Sequence, residues 1–244
     1  INFSPVWITL AVLSLVFFVY KFSFDKEGGS IGDRIPYHAL IVLIVSVLFI
    51  FVGAKLGGTI AESLGTSQLE VRPSWGATYD IAKASLSEDP FFGVGPNRFS
   101  SDWLTHKPAG INNTIFWNTD FNYGIGVIPS FITTTGLVGF LAIVLFLVLF
   151  VMLAVKALLR PSGSAFSRYL VMSSLFGSLY LWIFAITYVP SSAIWILTLA
   201  LSGLFVASVR EEKVIETKSY SITHKPAASF VSVLLIILAI IGAV

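Results

Sequence analysis

Four stretches of this chain run for twenty residues or more without an Asp, Glu, Lys or Arg: residues 1–20, 35–54, 121–155 and 169–209. A bilayer core about 30 Å thick is crossed by about 20 helical residues, so each stretch is long enough to span. The rest of the composition agrees. Hydrophobic residues make up 56% of the chain and charged residues 11%, against about 25% charged in a soluble domain. So few charges cannot cover a water-facing surface, and so much apolar mass excludes a disordered chain. The expected fold class is therefore an all-α integral membrane protein. Cysteine is absent, which excludes disulfides, thiolate metal sites and thiol nucleophiles. The formal net charge of +2 points to no nucleic-acid partner.

About six transmembrane helices are expected: 5–20, 35–54, 136–158, 168–188, 191–209 and 228–244. The run 121–155 is too long for one crossing, at 35 uncharged residues and about 1.5 Å each. Pro129 and the run Thr133-Thr134-Thr135-Gly136 are read as its break, with a shallow or re-entrant segment at 121–135. Pro190-Ser191-Ser192 splits the longest run into a hairpin. This gives helices within 1–57, one large loop with its re-entrant segment over 58–135, and the remaining helices within 136–244. The ends, Ile1 and a Val244 inside an apolar run, read as those of an internal piece of a longer membrane protein.

Ten of the fifteen basic residues fall in three short connections: Lys21, Lys26 and Arg34; Lys156, Arg160 and Arg168; Arg210, Lys213, Lys218 and Lys225. The positive-inside rule puts those connections in the cytoplasm and the large loop outside, in a multi-pass cytoplasmic (inner) membrane protein. No Asp, Glu, Lys or Arg falls mid-helix, where ion-coupled transporters and pumps keep such groups. Function is therefore expected in the loop. There Ser74 is a candidate N-cap for a short amphipathic helix over 75–88, closed by Asp89-Pro90, with Trp75 and Tyr79 as interfacial anchors. The run Phe91-Phe92-Gly93-Val94-Gly95-Pro96-Asn97-Arg98-Phe99 forms a tight turn whose backbone N–H groups are candidates to face an anion. Asp102, His106, Lys107, Asn112, Asn113 and Asp120 complete the polar inventory.

Arg72-x-x-Trp75, then Pro90-Phe-Phe-Gly93-Val-Gly95-Pro-Asn97-Arg-Phe99, a polar segment, and Thr135-Gly136-Leu-Val-Gly139-Phe140 opening a long helix resemble the O-antigen ligase and Wzy-type polymerase superfamily. The resemblance covers roughly residues 70–160. It implies a multi-spanning, metal-independent bacterial glycosyltransferase of cell-envelope polysaccharide biosynthesis, needing no cofactor. Such an enzyme moves a glycan from undecaprenyl diphosphate to a lipid or protein acceptor at the external membrane face. Arg72 matches the family arginine ahead of the Trp, and Gly136 and Gly139 match the helix-opening glycines. The family histidine would fall about eleven residues before Gly136, where this chain has Ile125 and Gly126.

The chemistry assigns roles by residue type. A leaving diphosphate gathers negative charge, and a guanidinium meets it with paired, permanently charged hydrogen bonds. Arg72 and Arg98 are the candidates, with Asn97, Lys107 and Asn122 as further substrate-binding groups. An acceptor hydroxyl needs a base, for which Asp120 and then His106 are the candidates. Two alternatives belong to other classes: a non-catalytic membrane assembly or anchoring protein on the same scaffold, and part of a transporter or lipid flippase.

Overall fold

The computed structural model describes residues 4–24, 35–65, 71–160, 164–212, 214 and 226–242. In chain order the helices are α1 (Ser4–Phe24), α2 (Tyr37–Ser63), α3 (Trp75–Glu88), α4 (Phe99–His106), α5 (Val127–Leu159), α6 (Ala165–Thr187), α7 (Ser192–Glu211) and α8 (Pro226–Gly242), with a 3-10 turn at Ala109–Asn113 between α4 and α5. No strand occurs among the described residues. Lys26, Arg34, Lys213, Lys218 and Lys225, which carry part of the orientation argument, lie outside them.

Helices Ser4–Ser23, Val127–Leu159, Phe166–Thr187 and Ser192–Glu211 are each long and apolar enough to cross a membrane. Their outward faces are apolar as well. Val12, Val16 and Val19 on α1, and Leu141, Leu145, Leu149 and Met152 on α5, are all exposed. Water would penalise such continuous apolar surface, and lipid does not. The chain is an integral membrane protein built from helices.

The chain divides into two compact units, one of residues 1–72 with 172–205 and one of residues 73–171 with 206–244. In the first, α1 packs on α2, and Trp7 stacks on Phe49 at 4.3 Å between ring centres. Helix α2 runs on to Ser63, past the span end expected near residue 54, and carries the exposed Lys55 within it. Segments of α6 and α7 meet through Trp182, whose ring sits edge-on to Trp195 at 5.7 Å. The Trp182 indole N–H donates to Ser202 Oγ at 3.0 Å, and that hydroxyl donates to the Thr198 carbonyl at 2.7 Å. The Trp182 indole and the Ser202 hydroxyl, both buried, thus each have a partner, as an apolar environment demands.

The second unit holds the segment before α5 from Pro73 onward. Ser74 caps α3 as expected, its side chain accepting from the Ala77 N–H at 3.1 Å. The buried face of α3 is Ala77, Thr78, Ile81, Ala82 and Ser85. Trp75 and Tyr79 stay exposed. Ala77, Ile81, Phe99 and Trp103 form a small core, with Ile111 and Phe121 packed against it. Trp103 ties the end of the segment down twice: its indole N–H donates to the Thr119 carbonyl at 3.2 Å, and its ring meets Phe121 edge-on at 4.9 Å.

Helix α5 starts earlier than expected, at Val127, and of the two expected break points only the one at Gly136 is a break. Residues 127–135 are helical, with Pro129 in the first turn, where a missing N–H costs no hydrogen bond. The break falls at Gly136, with φ 62° and ψ −163°. That backbone region is almost exclusive to glycine. A break strands polar groups, and the turn after α3 supplies their partners. The Val94 N–H and the Ser85 hydroxyl donate to the Thr133 carbonyl at 3.0 and 2.9 Å, while the Leu137 and Val138 N–H groups donate to the carbonyls of Pro90 and Phe91 at 3.0 and 3.2 Å. The two backbones lie so close that a Cβ on Gly136 would sit 2.4 Å from the Phe91 carbonyl, and one on Gly93 would sit 2.2 Å from the Thr133 oxygen.

Candidate functional site

The 91–94 part of the glycine-rich turn is not an anion cradle. Its N–H groups are already used: Phe91 and Phe92 donate to Asp89 Oδ1 at 3.0 and 3.1 Å, Gly93 to the Asp89 carbonyl at 3.1 Å, and Val94 to Thr133. Asp89 ends α3 and folds the turn back on itself, so the anion-facing turn expected over 91–99 has no free N–H donor in its first four residues. The motif is a joint between the loop and the broken helix. Arg98, beyond it, sits at the N-terminus of α4 and is exposed, with its Cδ lying over Gly95. Asn97 is exposed and takes φ 57°, a left-handed conformation that asparagine tolerates in turns.

The titratable cluster lies at the other end of α4. His106 and Asp102 are one turn apart, and His106 Nδ1 is 2.9 Å from Asp102 Oδ1. His106 Nε2 is 3.5 Å from Glu88 Oε1, at the end of α3. The three side chains differ sharply in exposure: Asp102 keeps 3% of its side-chain surface, His106 26% and Glu88 62%. Burial pushes the Asp102 carboxyl above its usual range, the hydrogen bond and charge of His106 pull it back, and the negative charge of Glu88 adds to the rise. Asp102 Oδ2 is buried with no hydrogen-bond partner. A carboxylate so placed uses His106 as its main source of stabilisation and, in return, fixes the imidazole ring. With Nδ1 donating to Asp102, Nε2 is the nitrogen aimed at the exposed side.

Lys107, Asp120 and Asn122 belong to the same unit as His106. Lys107 donates its ammonium to the Trp117 carbonyl in a close contact, which holds the segment after the 3-10 turn. Asp120 and Asn122 are exposed and flank Phe121. Arg72 belongs to the other unit, where Nη1 donates to the Thr187 carbonyl at 2.8 Å and the guanidinium lies 5.3 Å from the centre of the Tyr188 ring. Thr187 ends α6, and the last carbonyls of a helix have no partner within it. Arg72 satisfies one of these, so it has a structural part that reading by residue type missed. Glu88 and Asp102 were missed as partners of His106. The four-residue spacing of Asp102 and His106 was the readable signal, since helical neighbours at that spacing meet. Among the described residues no group of three His, Asp or Glu has the geometry to hold a metal ion.

These features define a class: a helical membrane protein whose loop segment carries a buried carboxylate, an oriented imidazole and an exposed carboxylate in line. No protein-family model, no curated protein and no solved structure matches the chain.

Proposed function

We propose that this chain is a membrane glycosyltransferase of the O-antigen ligase or polymerase type. It would span the cytoplasmic membrane six times, with the stretch 58–135 on the external face, and transfer a glycan from a lipid-linked diphosphate to a lipid or protein acceptor. The observation that supports this best is the line Asp102–His106–Glu88. Asp102 holds Nδ1, so Nε2 is the nitrogen able to take a proton. Glu88 is exposed enough to give way to an acceptor hydroxyl. The hydroxyl oxygen attacks the anomeric carbon, its proton goes to Nε2, and the glycosidic electron pair leaves with the diphosphate. His106 thus replaces Asp120 as the preferred base, and Arg98 at the start of the same helix is the preferred group for the departing charge.

The test is glycan transfer in membranes containing the full chain. His106→Ala should lower the rate by about 10²–10⁴-fold, the usual worth of a positioned base. Asp102→Asn should lower it less and shift its pH profile. Transfer by His106→Ala at the wild-type rate would sink the proposal. One observation favours the non-catalytic alternative: Arg72 and Lys107, two of the cations assigned to substrate, are engaged with backbone carbonyls. That reading takes first place if both His106→Ala and Arg98→Ala leave transfer intact.

A further inference from the structure

Phe91 and Phe92 are 61% and 67% exposed, although they belong to a turn bonded to the most apolar stretch of the chain. Their position along α5 is fixed by hydrogen bonds. The Phe91 carbonyl accepts from Val138, and the Pro90 carbonyl accepts from Leu137. The two aromatic residues therefore lie level with the first turn after the Gly136 break. From there α5 carries no charged residue until Lys156, and Leu137, Val138, Leu141 and Leu145 are exposed beside and beyond them. The stretch 137–159 is about 34 Å long at 1.5 Å per residue, close to the thickness of a bilayer core. Helix 127–135 is then surplus to the crossing.

We infer that Phe91 and Phe92 form an aromatic wedge set into the boundary of the bilayer, with the membrane beginning at the Gly136 break and the occupant of the exposed patch being lipid. Three further observations carry this. The patch is bonded through its backbone to the first turn of α5 after the break, where Leu137, Val138 and Leu141 are exposed and apolar. The backbone of the turn can enter a water-poor layer, because the N–H groups of residues 91–94 all have acceptors and the carbonyls of Pro90 and Phe91 have donors. The exposed Glu88 and Asp89, immediately before the turn, mark the side that stays in water. The inference rests on geometry within one unit and does not depend on the proposed activity.

The absence of cysteine permits a direct test. Phe92→Cys, Phe91→Cys, Ser101→Cys and Val148→Cys each receive one nitrobenzoxadiazole label, in the full chain reconstituted into phosphatidylcholine vesicles. Nitroxides at acyl position 5 or 12 of added lipid report depth. The labels at 91 and 92 should emit to the blue of that at 101 and be quenched more by position 5 than by position 12. The label at 148 should show the opposite order. Water-like emission at 91 and 92, with 148 quenched, overturns the wedge. So does blue-shifted emission at 91 and 92 that neither lipid quenches, which would mean that protein covers the patch. If 148 is unquenched, α5 does not cross where stated and the inference falls with it.

Discussion

Adding one methyl group at Gly136 should open the joint between the loop and α5. Alanine there meets two obstacles. The backbone sits at φ 62° and ψ −163°, which costs a residue with a Cβ about 1–3 kcal/mol. The new Cβ would also lie 2.4 Å from Phe91 C and O and 2.6 Å from Phe92 N. All three are backbone atoms, so no rotamer change relieves them and the two backbones must part. Parting breaks the Val94–Thr133, Leu137–Pro90 and Val138–Phe91 bonds, worth about 0.5–1.5 kcal/mol each. The joint should therefore be weakened by about 2.5–7.5 kcal/mol, or at least about 70-fold in its opening equilibrium. Hydrogen exchange read by mass spectrometry reports this directly. The amides of Val94, Leu137 and Val138 should lose that much protection in Gly136→Ala, while those of α2, in the other unit, stay unchanged. Gly93→Ala should have a similar effect, because its Cβ would strike the Thr133 carbonyl. The double variant should cost little more than either single one, since both open the same joint. Gly110→Ala, with nothing within 4 Å, is the control. Native protection in Gly136→Ala, or fully additive losses in the double variant, would refute the reasoning.

Two other outcomes follow from the loop and its orientation. The Asp102 carboxyl is held above its ordinary value of 3.8 by burial, so its contribution to stability is complete below that pH and is lost as pH rises through the folded value. Thermal unfolding in detergent should show the wild type gaining on Asp102→Asn as pH falls toward about 4, and a gain as pH rises would mean that His106 outweighs burial. For the orientation, an impermeant thiol reagent on intact cells should label Ser101→Cys and spare Ser164→Cys, and the reverse pattern would invert the assignment.

Much of the helical layout was legible because it follows from local properties. The uncharged runs located α1, α6 and α7 to within a few residues, and Ser74 with Asp89-Pro90 bounded α3. The break in α5 was legible only in part. Gly136 could be seen as a weak point, but Pro129 could not be told from a first-turn proline without knowing that the helix begins at Val127. What the sequence hid were pairings across distance. Gly93 and Gly136 look like independent turn residues until the Thr133 and Phe91 carbonyls are seen between them. Asp102 and His106 share a helix and their spacing was readable, whereas Glu88 reaches His106 only because α3 and α4 fold onto the Ile81–Trp103 core. Arg72 shows the limit of arguing from residue type. An arginine suits a phosphate and an unsatisfied helix carbonyl equally well, and only the fold distinguishes the two.

The joint at Gly136 also bears on how such a chain settles during synthesis. An uncharged run of 35 residues can slide by a turn or more through a 30 Å core with little change in transfer energy, so composition leaves several vertical placements nearly degenerate. Slippage in α5 would carry the Thr133 carbonyl away from Val94 and strand the Leu137 and Val138 amides. Hydrogen bonds made to a turn that emerges earlier from the ribosome thus act as a stop, selecting one placement from a set that hydrophobicity alone cannot rank.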